Sequence, residues 1–228
     1  MRPRRPNLLQ RAVYWFGFLL FNLTFPFYFR FKVRGRRNVP RRGPLLVASN
    51  HVSYLDPPVV GVAVPRILHY MAKSELFEIP VFNGLIRFLN AFPVRRGKPD
   101  RRALRYTLDL LRMGEAVLTF PEGTRSKDGR LKAPEPGTGY IALLSRAPVL
   151  PVAVVGTDRA LPPGCPFLLP RRVEVRIGRP LTFPDLYGNV SREKVEEASW
   201  RIMEAIARLL GREPPPRPRR GRGAHLSG

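Results

Sequence analysis

From residue 44 to about residue 210, short apolar runs alternate with stretches of helical periodicity. "PLLVAS" (44–49), "ILHYMA" (67–72), "AFPV" (91–94), "AVLTF" (116–120) and "VLPVAVVG" (149–156) have the length and composition of buried strands. Between them "PPVVGVAV" (57–64), "VFNGLIRFL" (81–89), residues 100–113 and "TGYIALLSR" (138–146) predict helices. In the third of these, Leu104, Leu108 and Leu111 share one helical face, with Asp100 as N-cap and Gly114 just past the end. "RVEVRIG" (172–178) alternates like a half-exposed strand, and residues 191–210, opened by Ser191, predict a closing amphipathic helix. This alternation predicts a single α/β domain whose mixed or largely parallel sheet is covered by helices. Residues 32–210 are assigned to it.

One apolar run breaks the pattern. "AVYWFGFLLFNLTFPFYF" (12–29) lies between Arg2, Arg4, Arg5 and Arg11 on one side and Arg30, Lys32, Arg34, Arg36 and Arg37 on the other. No small-residue cleavage site follows it, as a signal peptide requires. Its length is at the short end for a bilayer span, and Asn22, Thr24 and Pro26 interrupt it. Residues 1–31 are therefore expected to be a basic arm and a membrane-associated helical segment that dips into one leaflet, with a single span as the alternative. The tail, 211–228, is rich in Pro, Gly and Arg and is expected to be disordered.

Charge sharpens this picture. A formal net charge of +23 implies an anionic partner: a membrane surface, a phosphorylated substrate or nucleic acid. No recognised nucleic-acid motif is present, and the apolar segment argues against that partner. The single cysteine, Cys165, excludes an intrachain disulfide framework. His51, His69 and His225 are scattered without ligand spacing, so no metal site is expected.

The chemistry-bearing residues collect just after the apolar runs. "NHVSYLDP" (50–57) places His51 and Asp56 beyond the first run. A turn through Ser53 can bring the two together. Equally, Asp before Pro suits a helix N-cap, Ser53 with Asp56 a capping box, and His51 a backbone-bonded loop residue. "FPEGTRS" (120–126) offers Glu122, Gly123, Thr124 and Arg125, a set that can hold a phosphate or form a plain charged turn. "AFPVRRG" (91–97) adds Arg95 and Arg96. Strand ends bearing His/Asp, Glu/Arg and Arg/Arg can converge on one sheet edge, where open α/β sheets bind ligands.

These stretches resemble the motifs of the lysophospholipid acyltransferases of the PlsC type, the 1-acylglycerol-3-phosphate acyltransferases. "NHVSYLDP" matches their His-x4-Asp motif, "FPVRR" the second with Arg96 at its arginine, "FPEGTRS" the third, and "VLPVAVVGT" the fourth with Pro151. The similarity covers roughly residues 32–182. Where the family often has a lysine just before a glycine, this chain has Gly137 with Lys132 upstream. The resemblance implies a glycerol-3-phosphate acyltransferase-like fold. It also implies acyl transfer from acyl-CoA or acyl-carrier protein to the free hydroxyl of 1-acylglycerol-3-phosphate, without a resident cofactor. His51 would be the general base and Asp56 its orienter, while Arg96 and Arg125 would hold the acceptor's phosphate. Glu122 would bond a glycerol hydroxyl or position Arg125, and Gly123 and Thr124 would let the backbone approach. The implied partners are a lysophospholipid acceptor, an acyl thioester donor and the anionic surface of the cell membrane on its cytoplasmic side. Acylation of another lysolipid or of glycerol 3-phosphate, and non-catalytic binding of anionic lipid, are the alternatives.

Overall fold

The computed structural model describes residues 3, 5–95, 97 and 100–217, without the side chains of residues 81 and 82. Residues 218–228 of the tail and Arg96 lie outside the described residues.

The apolar runs pair into one seven-stranded sheet. Its strands are β1 (Lys32–Arg34), β2 (Leu45–Ser49), β3 (Leu68–Lys73), β4 (Ala91–Val94), β5 (Ala116–Thr119), β6 (Val149–Val155) and β7 (Glu174–Ile177), in the order β1-β7-β6-β2-β5-β3-β4. β6, β2, β5, β3 and β4 run parallel, β7 is antiparallel to β6, and β1 runs with β7. The sheet is mixed and largely parallel, as expected. β2 sits at its centre with every residue buried, because helices cover both faces.

Successive side chains on a strand point to opposite faces, so the sheet divides two cores. Leu45 and Val47 join one core with Leu118, Val152 and the helix α2 (Asp56–Ala63). Leu46 and Ala48 join the other with α4 (Arg101–Arg112), α5 (Pro136–Ser145) and α7 (Arg192–Leu210). α3 (Pro80–Phe88) and the single turn α6 (Thr157–Ala160) complete the helices used below. Asp100 caps α4 as expected, accepting from Ala103 N–H, and Ser191 caps α7, accepting from Lys194 N–H.

Two local expectations are corrected. α4 buries Ala103, Thr107, Leu110 and Leu111, so its buried face keeps Leu111 of the expected stripe, leaves Leu104 partly buried against the core and shifts away from Leu108. The Thr107 hydroxyl can be buried because it donates to the Ala103 carbonyl at 2.8 Å. β7 is not half-exposed: Glu174 is buried within reach of Arg34, Arg172 and Arg176, which holds its carboxyl below the usual range.

The apolar segment forms α1 (Leu8–Phe29), which begins before the apolar run because Asn7 and Gln10 make a capping box. It is long and apolar enough to cross a membrane, with mean hydropathy 1.4. It is also fastened lengthwise to the domain. Tyr14 Oη donates to the Arg66 carbonyl at 2.9 Å near the start of β3. Asn22 bonds the Val62 carbonyl and accepts from Arg36 at 2.6 Å. Phe25 and Phe29 are buried, and the Phe29 carbonyl accepts from Val173 N–H just before β7. The opposite face, with Leu8, Phe16, Leu19, Leu23 and Phe27, is exposed. α1 thus crosses the α2 side of the molecule from the edge where the parallel strands begin to the edge where they end. At the other terminus, Arg217 lies over Trp200 and pairs with Glu197 and Glu204 of α7.

Candidate active site

Because the central strands are parallel, their carboxyl ends share one edge. Asn50 ends β2 by pairing both of its amide atoms with the backbone of Val154 on β6, at 3.0 and 2.7 Å. That fixes the point at which the chain leaves the sheet and delivers His51. The next residues turn back on themselves, and the Asp56 carboxylate is the centre of the turn. Its Oδ2 accepts from Val52 N–H at 2.6 Å and Ser53 N–H at 2.8 Å, and lies 2.8 Å from His51 Nδ1. Its Oδ1 accepts from Thr157 Oγ1 at 2.5 Å.

Asp56 is the first residue of α2, yet its carboxylate does not cap that helix. It points back onto the loop it follows. The choice between helix cap and histidine partner left open by the spacing is resolved: the side chain serves the histidine, and α2 fixes where it starts. Ser53 is the local brace. Its Oγ accepts from Leu55 N–H at 3.3 Å and donates to the Leu161 carbonyl at 3.2 Å.

The second loop completes the floor. The His51 ring stacks on Phe120 with centroids 4.0 Å apart and planes 17° off parallel. Glu122 is buried beneath the histidine loop. Oε1 accepts from His51 N–H at 2.9 Å and Oε2 from Lys132 N–H at 3.0 Å. Burial pushes its carboxyl pKa up, and those two N–H groups pull the other way. Ser126 N–H bonds the His51 carbonyl at 2.8 Å, so both backbone polar groups of His51 are held by this loop. Gly123 has φ +67°, and a Cβ there would meet Glu135 Cγ at 2.8 Å, which restricts the position to glycine.

The rim is more open. Thr124 is exposed and Arg125 is half-buried. The Arg125 guanidinium lies over the Tyr54 ring, 3.5 Å from its centroid. Lys132 Nζ donates to the Arg125 carbonyl at 2.9 Å, so this shifted lysine does brace the third motif. Arg95 follows β4 at the same sheet edge, its N–H bonded to Asp100 at 3.0 Å.

Two contributors went unassigned in the sequence. Thr157 orients Asp56 from the end of β6, and Gly156 before it (φ +89°) lets α6 start close against the Arg172 carbonyl. Phe120 supplies the ring under His51. Both lie at ends of apolar runs inside the recognised motifs, which was the available signal. His69, by contrast, is buried within β3 with Nε2 3.6 Å from Glu115, at the other end of the sheet. Among the described residues no group of His, Cys, Asp and Glu is arranged to hold a metal.

A model of the acyltransferase family matches residues 30–155, more than half of the chain. The chain is 31% identical over 180 residues to the 1-acyl-sn-glycerol-3-phosphate acyltransferase of Bacillus subtilis (strain 168), covering 78% of this chain and 87% of that protein. It is also 31% identical over 180 residues to the chloroplastic 1-acyl-sn-glycerol-3-phosphate acyltransferase LPAT1 of Arabidopsis thaliana. There the match covers 76% of this chain, and the chain spans about half of that relative's length, 50%. The crystal structure of the 1-acyl-sn-glycerophosphate acyltransferase PlsC from Thermotoga maritima shares the fold with a TM-score of 0.70 at 30% identity, over 89% of this chain and 79% of that one. The chain belongs to the acyltransferase family.

Proposed function

We propose that this protein transfers a fatty acyl group from acyl-CoA or acyl-carrier protein to the free hydroxyl of 1-acylglycerol-3-phosphate, forming phosphatidic acid. The observation that carries this reading is the 2.8 Å contact between His51 Nδ1 and an Asp56 carboxylate held by three further donors. With Nδ1 committed to Asp56, Nε2 is the nitrogen that takes the proton of the acceptor hydroxyl. The carboxylate fixes that tautomer and stabilises the imidazolium. The hydroxyl oxygen then attacks the thioester carbonyl, the carbon–sulfur bond breaks as the tetrahedral intermediate collapses, and the thiolate takes the proton from His51. No acyl-enzyme is needed. Ser53, the hydroxyl within the same turn, is engaged as a brace on Leu55 and Leu161.

Glu122 acts as a positioning residue, since its oxygens meet the backbone of His51 and Lys132. Arg125 holds the acceptor's phosphate from the rim. Its stacking on Tyr54 limits the guanidinium's motion, and among the described residues no carboxylate forms an ion pair with it. Arg96 is assigned to the same phosphate on the motif alone.

The same reading puts the protein on the cytoplasmic face of the cell membrane. α1 is tied to the domain along one face and exposes apolar side chains along the other. That arrangement suits a helix lying in the interface better than an isolated span.

An acceptor panel tests the reading. With acyl-CoA or acyl-carrier protein as donor, lysophosphatidate should exceed a phosphate-free monoacylglycerol in kcat/KM by at least about ten-fold, the worth of one charge-assisted anion contact. Equal rates with both acceptors would contradict it.

A further inference from the structure

The loop after α6 plays no part in the chemistry above, yet it exposes apolar side chains beside the site. Residues 161–170 read "LPPGCPFLLP". Phe167 is 73% exposed and Leu168 44%. The loop is anchored at both ends: the Leu161 carbonyl accepts from Ser53 of the histidine turn at 3.2 Å, and Leu169 N–H bonds the Ala160 carbonyl at 2.8 Å. Its tip is also tied to α1, because Tyr28 Oη donates to the Leu168 carbonyl at 2.6 Å. That bond sets Phe167 and Leu168 next to the exposed C-terminal end of α1, where Phe27 is 89% exposed.

Charge identifies what covers this surface. Arg171 and Arg172 follow the loop and Arg30 follows α1; residues 161–173 contain no acid, and Arg172 is paired with the buried Glu174. An apolar tip bordered by cations, with no carboxylate in the loop itself and the nearby Glu174 buried, matches a lipid bilayer with anionic headgroups. An acidic protein surface would pair with the arginines but would leave the Phe167 and Leu168 side chains without a counterpart.

We propose that residues 162–169 are a second membrane-inserting element, which with the C-terminal end of α1 seats the catalytic edge of the sheet on the bilayer. The inference rests on the reading of α1 as an interfacial helix, and it adds an orientation. The membrane meets the molecule at the edge bearing His51. The acceptor therefore passes from the leaflet to His51 sideways, with its acyl chain still in lipid.

Cys165 is the only cysteine of the chain and lies within the proposed tip. A nitrobenzoxadiazole probe attached there in the full-length protein reports the tip's surroundings. On mixing with phosphatidylethanolamine–phosphatidylglycerol vesicles, emission should shift to the blue, rise several-fold, and become quenched by nitroxides on lipid tails rather than by aqueous iodide. Co-flotation with the vesicles while the probe remains iodide-accessible would overturn the proposal and leave the α1 reading intact. Failure to co-float would overturn both. Phe167→Asp supplies a second test, since the side chain packs on little of the fold. It should lower the rate on vesicle-borne lysophosphatidate about ten-fold, as expected for losing one inserted aromatic ring. The rate on a short-chain lysophosphatidate dissolved as monomers should be unchanged. Equal losses on both acceptors would overturn the proposal. So would a loss seen only with acyl-carrier protein as donor, which would assign the loop to that protein.

Discussion

The two halves of the candidate site are built differently. Around His51 each polar contact is made by groups the fold itself positions. Asp56 takes backbone N–H groups of Val52 and Ser53 and the Thr157 hydroxyl besides the imidazole, and Glu122 takes the histidine's own N–H. Around the Arg125 guanidinium the contact is the face of the Tyr54 ring. The contrast follows from the work assigned to each half. Proton transfer needs one tautomer in one place, and a buried carboxylate with satisfied lone pairs supplies that at low reorganisation cost. A phosphate headgroup arriving from a membrane needs a strong cation with some freedom, and a stacked guanidinium on the rim supplies it.

The sharpest way to break this contrast is Asp56→Asn. An amide at that position keeps the shape but cannot favour the same tautomer or stabilise an imidazolium. We expect kcat to fall by roughly a thousand- to ten-thousand-fold with KM little changed. A loss confined to KM would move Asp56 out of the proton-transfer half. Thr157→Val comes next. It removes one donor from Asp56 without changing volume much, so kcat should fall about ten-fold and unfolding free energy by about 1–3 kcal/mol in chemical denaturation. Unchanged turnover with lowered stability would mean the threonine is a brace only. The smallest effect belongs to the rim. Arg125→Ala should raise KM for lysophosphatidate about ten-fold while kcat changes by no more than about two-fold. If kcat fell with it, the rim would be part of the reacting centre and the division would fail.

Much of the fold was legible because buried strands of a parallel sheet are apolar on both faces, as in "PLLVAS" and "VLPVAVVG". The His51–Asp56 relation was legible as a possibility, and the motif resemblance favoured it over the cap. Thr157 was not, because its contact with Asp56 joins residues 101 apart and exists only since β6 lies beside β2. Glu122 was expected, on the motif resemblance, to bond a glycerol hydroxyl or to position Arg125. The loop instead folds under the histidine, and burial is tolerated because two backbone N–H groups meet the carboxylate. α4 shows the same limit in a helix. Periodicity identifies an apolar stripe, but docking on the sheet turned the buried face toward a small Ala103 and a self-satisfied Thr107, which allow close approach, while keeping Leu111.

The central claim is that His51 moves the proton. The most direct measurement is phosphatidate formation from lysophosphatidate and an acyl thioester by His51→Ala protein whose circular dichroism and melting temperature match the unaltered protein. The account predicts that turnover drops by at least about a hundred-fold, the lower bound for losing a general base. Turnover retained within a few-fold by a folded His51→Ala protein would contradict it.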